Sequence, residues 1–418
     1  MDMILRRWQR QLLICAVSLI FSLPGYAADV QSARSGLAQA LEQAWRLHPQ
    51  AAALEARDAE ARAAQDIAAG LTPEPGSVSF GSIGDRLNRN MGKQEYEVEL
   101  ATPLWLPGQR AAREAEASSR IDEASGRRSA LRLELAGELR DAWWALAAAR
   151  NAKALAVRRL DTARALEADV RRRYTVGELS RIDANLAQSE VHVAGAELIE
   201  AEATLLQMEQ ALRTLTGTIA PEDMVEEAPT TLRAFSGIMA TPETHPLLKA
   251  AAAAARSARA RVTVADESRR AAPELALRVV RERDDDSVSY GNTVGIRLKI
   301  PFSSGAQVRR ETSAAQAEAD QADAEMLRTQ TRVRLEAERA QRALAAAERQ
   351  LFMAQERLSL SAENLHLNEK AFSLGESDLA TLLRIRAAAF DAESFLGRQR
   401  VARAAAISRL NQAMGVLP

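Results

Sequence analysis

The sequence predicts a mainly α fold with a small β part. Three observations predict it. A set of landmark residues occurs twice, 197 or 198 positions apart. Each copy holds a helix-forming stretch longer than any globular core. Before each such stretch lie two short strands with an alternating pattern. The chain therefore reads as two tandem helix–strand–strand–long helix–helix units.

The duplication comes first, because a missed repeat misreads a whole fold. Tyr174-Thr-Val-Gly177-Glu178 answers to Phe372-Ser-Leu-Gly375-Glu376. His48-Pro49 answers to His245-Pro246, Thr102-Pro103-Leu104 to Ile300-Pro301-Phe302, Gly108 to Gly305, and Leu212 with Gly217 to Leu410 with Gly415. The implied division is a signal segment over 1–27, a first unit over 28–217, an equatorial linker over 218–241 and a second unit over 242–418.

Within each unit a first helix is expected over Ser35–Ala69 and Pro246–Ala271. The long helices are expected over Gln109–Tyr174 and Gln307–Phe372. A helix of about 66 residues is about 100 Å long at 1.5 Å per residue. Its small and apolar positions, Leu139, Ala142, Leu146, Ala149, Ala156, Leu160 and Ala163, follow the alternating fours and threes of a coiled-coil seam. Val333, Ala337, Ala340, Leu344 and Ala347 form the second seam. A Gly turn follows each long helix, then a returning helix that stops near Gly217 or Gly415, where Gly suits a helix end.

The strands show period 2. Tyr96, Val98 and Leu100 share one face, and Glu95, Glu97 and Glu99 the other. Val294, Ile296, Leu298 and Ile300 share a face opposite Gly295, Arg297 and Lys299. Ser77–Ile83 and Glu274–Val280 are their partners, and Pro103 and Pro301 end the second strand of each pair. A charged face with an apolar one fits a membrane barrel with a polar lumen, and fits equally a soluble hairpin half-buried on helices. In a membrane, four strands leave two edges that lipid does not tolerate, because each unsatisfied backbone group costs several kcal/mol. Three copies would supply twelve strands, an even number in the usual range.

The N-terminus reads as a secretory signal. Arg6, Arg7 and Arg10 precede the apolar run Leu12–Phe21, and Gly25-Tyr26-Ala27 offers a cleavage site after Ala27. Cys15, the single cysteine, lies inside it, with no small residues before it to make a lipidation site. The mature chain is expected to hold no disulfide. A net charge of −1 gives no general attraction to nucleic acid. No phosphate-cradling Gly loop, nucleophile elbow or metal-ligand spacing is present, so neither an enzyme nor a cofactor site is expected. His48, His192, His245 and His366 are scattered, and two of them precede Pro in the repeat, a structural position. Asp284–Asp286 reads as a solvated loop.

The tandem unit resembles the TolC-type outer-membrane efflux proteins. The resemblance rests on Leu37-Ala38-Gln39-Ala40-Leu41 with His48-Pro49, on Thr102-Pro103-Leu104, on the turns at Gly177 and Gly375, and on the Leu–Gly helix ends. It covers almost the whole mature chain. It implies a homotrimer with a 12-strand barrel in the outer membrane, set in lipid and continued by a long periplasmic helical tunnel. It also implies a periplasmic adaptor and an inner-membrane pump as partners. Tyr174, Gly177, Glu178, Phe372, Gly375 and Glu376 would then be the adaptor-docking hairpin tips. Asp183 stands six residues after Gly177, where the family's gate carries an acid. The second tip has Thr381 and Arg384 at the gate positions, with Asp378 close by, so these charges would form a different gate. Leu106-Pro107-Gly108-Gln109-Arg110, Arg113 and Arg281–Asp286 are similar to the CzcC-like, heavy-metal branch. Two other architectures use comparable helices. A periplasmic adaptor carries one hairpin between β-rich domains, unlike this chain. An outer-membrane channel for type I protein secretion shares the whole plan and is the alternative function.

Overall fold

The computed structural model describes residues 36–87, 91–222, 224–229, 245–302 and 304–418. The expected signal segment with Cys15, and the part of the linker from 230 to 241, lie outside the described residues.

The first unit runs α1 (Gly36–Leu47), α2 (Pro49–Ala69), β1 (Ser77–Gly84), β2 (Gln94–Pro103), α3 (Gln109–Thr175) and α4 (Arg181–Thr216). The second runs α5 (Pro246–Glu267), β3 (Glu274–Arg283), β4 (Gly291–Lys299), α6 (Gly305–Ser373) and α7 (Leu379–Ala413). The long helices have 67 and 69 residues, close to the sequence expectation. The expected single helix over 35–69 is in fact two. Pro49 has no N–H to donate and starts a new helix, with His48 as its N-cap. His48 Nδ1 accepts from Gln50 N at 3.3 Å, and His245 Nδ1 accepts from Leu247 N at 3.2 Å. Burial lowers the His245 pKa, partly offset by its bond to the Ala413 backbone. Both His-Pro pairs therefore act as helix starts.

α3 is the spine of the protomer. Toward the sheet, the lateral order of helices is α2, α3, α5, α6; toward the turns it is α4, α3, α7, α6. Leu139, Leu146, Ala149, Ala156, Leu160 and Ala163 of the expected seam are buried. Small residues let the backbones approach: a Cβ on Gly126 would stand 2.9 Å from Ala250 Cα on α5. At mid-height α1 lays Leu37, Leu41 and Ala44 on Leu139, Trp143 and Leu146 of α3, with Leu212 of α4. Trp143 and Trp144 thus pack a core.

Beside that core lies a buried polar network that the sequence does not announce. Arg140 makes a two-pronged pair with Glu227, at 3.0 and 2.7 Å, and donates to the Val416 carbonyl at 3.0 Å. Ser408 bonds the same Glu227 and accepts from Trp144 Nε1 at 2.7 Å. Asn411 donates to the Ala228 carbonyl at 3.0 Å. These bonds pin residues 224–229 and the C-terminus to α3 and α7.

The sheet is antiparallel throughout, in the order β1-β2-β3-β4. The register sets Val78, Leu100, Leu277 and Ile296 side by side, and likewise Phe80, Val98, Val279 and Val294. These side chains form one exposed apolar face. The opposite face is a ladder of ion pairs. Arg278 pairs with Glu97 at 2.5 Å and Glu95 at 3.3 Å, Arg297 with Glu99 at 2.9 Å, and Lys299 with Glu274 at 3.6 Å. No helix among the described residues is long and apolar enough to cross a membrane.

Candidate functional site

Two structures in the protomer are candidates for function: the pair of hairpin turns and the two-faced sheet. The turns are built alike. In the first, Glu178 N donates to Arg173 O at 2.9 Å and Gly177 N to Tyr174 O at 3.0 Å. In the second, Glu376 N donates to Ala371 O at 2.9 Å and Gly375 N to Phe372 O at 3.2 Å. This double bond pattern is the Schellman helix end, which needs a left-handed residue at its bend. Gly177 and Gly375 supply it, at φ 83° and 78°. A Cβ on either glycine would meet nothing within 4 Å. Glycine is required there for its backbone and not for space.

The returning helices start on strong caps. Ser180 Oγ accepts from Asp183 N at 3.2 Å, while the Asp183 carboxylate accepts from Ser180 N at 3.0 Å, a reciprocal capping box. Asp378 accepts from Thr381 N at 2.6 Å. Its carboxyl is held below the usual carboxylate range by the bonds from Thr381 and by the charge of Arg384. Both acids noted in the sequence as gate charges therefore also start a helix. Arg384 is exposed and lines a cleft with Asn364 and Asn368.

The two tip aromatics part company. Tyr174 is 40% exposed, but Phe372 is only 7% exposed. Phe372 packs with Leu166, Val170, Ala187, Leu379 and Leu382, under the Arg173 guanidinium at 5.3 Å from its ring centre. It closes the joint between the two hairpins, and its ring is not offered at the surface. The outward groups at the tips are Tyr174, Val176, Glu178, Leu374 and Glu376. Val176 and Leu374 are apolar tip residues that sequence reading missed; their place next to the turn glycines was the available signal. Elsewhere, the described residues hold no group of three or more His, Cys, Asp or Glu placed to bind a metal ion.

The family model for outer membrane efflux proteins matches residues 36–218 and 240–416, most of both units. The chain belongs to the outer membrane efflux protein family. The family accounts for the doubled unit and makes this an outer-membrane efflux channel of the TolC type, a channel and not an enzyme. Its helices form the periplasmic extension. The fold is that of solved channels. CusC matches with a TM-score of 0.76 at 15% identity, covering 91% of this chain and 92% of that one. CmeC of Campylobacter jejuni matches at 0.72 and 16% identity, covering 91% and 85%. VceC of Vibrio cholerae matches at 0.72 and 16% identity, covering 91% and 96%. In sequence, the cobalt-zinc-cadmium resistance protein CzcC of Cupriavidus metallidurans is 26% identical over 211 residues. That match spans 49% of this chain and 50% of CzcC, about half of each.

Proposed function

We propose that three copies of this chain close into one exit duct of a tripartite efflux system. One observation carries the reading: each layer of the protomer is cut on the same two sides. The sheet ends in β1 and β4, and the helical layers end in α2 or α4 on one side and α6 on the other. The helices at those sides carry exposed apolar side chains. Ile182, Val193, Ile199 and Leu206 mark α4, and Leu327, Leu335, Phe352, Leu360 and Leu367 mark α6. If β4 of one copy pairs with β1 of the next, α6 meets the next α2 and α4 as well. Such head-to-tail contacts close into a ring when the rotation fits, and closure removes the exposed strand edges. Three copies give twelve strands, within the range of membrane barrels. The apolar face then meets lipid, and the ion-pair ladder lines the lumen.

The periplasmic end carries six tips, two from each chain, which dock an adaptor joined to an inner-membrane pump. Tyr174, Glu178 and Glu376 make that contact, Gly177 and Gly375 set the turns, and Phe372 fixes one hairpin against the other. Asp183, Asp378 and Arg384 supply the charges at the constriction. The substrate is chosen upstream. Cobalt, zinc and cadmium are the first cations to assay, on the strength of the likeness to CzcC and with no metal ligands required of the duct.

The mature protein in detergent is expected to sediment as three chains. A monodisperse, soluble monomer without detergent would sink this reading. The tips have their own test. Gly177→Val and Gly375→Val put a branched side chain at positive φ, a strain of about 1–2 kcal/mol in a turn remote from the main seams. Trimer yield should stay near wild type while adaptor crosslinking and efflux fall together. Unchanged crosslinking and efflux would show that the adaptor docks elsewhere.

A further inference from the structure

The outward face of the sheet changes its chemistry at the end away from the helices. Beyond the two apolar rows, the next row in register is Ser82, Tyr96, Arg281 and Asn292. Arg283 lies one step farther on the same face, since side chains alternate with period 2. The β3–β4 turn brings Tyr290 back onto this row. Its ring centre is 6.5 Å from that of Tyr96, and its hydroxyl bonds the Gln94 side chain. The guanidinium carbons of Arg281 and Arg283 stand 4.9 and 5.0 Å from the centre of the Tyr290 ring.

Two like charges are thus gathered around one ring on the lipid side of the wall. Arg283 is tied down by Asp286 at 2.8 Å and by the Gly92 carbonyl at 3.0 Å. Asp285 accepts from Ser287 N at 2.7 Å, and the bonds from Ser287, with a smaller effect from the charge of Arg283, hold its carboxyl below the usual range. Arg281 is exposed. A guanidinium at hydrocarbon depth is unfavourable, whereas at the interface the penalty nearly vanishes, and Tyr is enriched there as well. The row therefore sits at headgroup level, in the outer leaflet, because the helices lie on the periplasmic side.

We infer that Arg281 and Arg283, with Tyr96 and Tyr290, bind the phosphate of an outer-leaflet lipid headgroup. The inference rests on the reading of the apolar face as lipid-facing. The chemistry is specific: the exposed guanidinium fork of Arg281 matches two phosphate oxygens, and Arg283, held beside it by Asp286, adds a second cation to the same ring. Continuity with the lipid-facing rows commits the site to a lipid, not a soluble phosphate.

The probe is bisphosphorylated lipid A, added to the detergent-purified full-length assembly and counted by native mass spectrometry. Wild type is expected to retain it through gel filtration. Arg281→Gln should lower retention at least tenfold, as should removing both phosphates from the lipid. Arg171→Gln, with an exposed side chain at the far end of α3, should change nothing. Equal retention by Arg281→Gln would overturn the site. Displacement of the lipid by equimolar inorganic phosphate would show a soluble-anion site instead. Insertion into phosphatidylcholine vesicles is measured in parallel. Wild type that fails to insert overturns the lipid-facing reading and the site with it, whereas insertion without lipid A retention overturns the site alone.

Discussion

Arg140→Met should destabilise the protomer by about 3–5 kcal/mol, the usual result of orphaning one member of a buried ion pair. Arg140 and Glu227 side chains are only 2% and 8% exposed, and their two-pronged contact is the centre of the mid-height network. Without the guanidinium, the Glu227 carboxylate keeps only the Ser408 hydroxyl, and the Val416 carbonyl loses its donor. The effect should be local to the equator at first, freeing residues 224–229 and the C-terminus from the bundle. The double substitution Arg140→Met with Glu227→Met removes both charges, and buried pairs replaced by apolar groups are often neutral or better. Melting of the detergent-solubilised protein should therefore rank wild type and the double variant together, with Arg140→Met well below. A single variant that melts with wild type would mean the network adds nothing to stability. A double variant as weak as the single would mean that the bonds Arg140 donates to the Gln412 side chain and the Val416 carbonyl, and not the ion pair, hold the equator.

This network also marks the limit of what the sequence discloses. Arg140 and Glu227 are 87 residues apart, and Glu227 falls in a stretch with no periodicity. Nothing local distinguishes Arg140 from the many other arginines of the long helices. The doubled unit was legible through landmarks repeated 197 or 198 positions apart, and the long helices and both faces of the sheet through spacings written within a few residues. The break at His48 was also legible in principle, since Pro49 is a better helix start than helix interior. Counting Ser35–Ala69 as one helix passed over that signal.

The tips were half legible. Alignment of the two units makes Tyr174 and Phe372 equivalent, and both were expected at the surface. Equivalence in sequence is not equivalence in packing. Phe372 meets α3, α4 and α7 of its own chain, so its pocket is complete in one protomer. In a closed ring, unit one finds its corresponding neighbour on the next copy. Tyr174 has no such pocket within the protomer and stays 40% exposed at the tip. The acids Asp183 and Asp378 carry a similar lesson. Their sequence positions suggested charge at a gate, while their hydrogen bonds show that each also starts a helix, so Ala at either site would test two roles at once.

Ile296→Arg is expected to abolish most trimer in the outer membrane, while Arg297→Ile leaves much of it. The two residues are adjacent in β4, so the comparison isolates the face. Ile296 sits opposite Leu277, is 79% exposed in the protomer, and lies in the middle of the apolar rows. A guanidinium near the bilayer midplane costs about 2–4 kcal/mol, and the ring repeats the substitution three times. Arg297 points to the other face, where it pairs with Glu99 at 2.9 Å and Glu97 at 3.8 Å. If that face lines a wet lumen, losing Arg297 leaves carboxylates that water can solvate, and exposed pairs contribute only about 0–1 kcal/mol. Membrane-fractionated trimer, read on unheated gels, gives the answer for both variants in one experiment. Equal tolerance would deny that either face meets lipid. A reversed order, with Arg297→Ile lost and Ile296→Arg retained, would turn the sheet inside out. The ion-pair ladder would then be the covered surface, where losing one charge orphans its partners, and the apolar rows would face water, where an added guanidinium costs little.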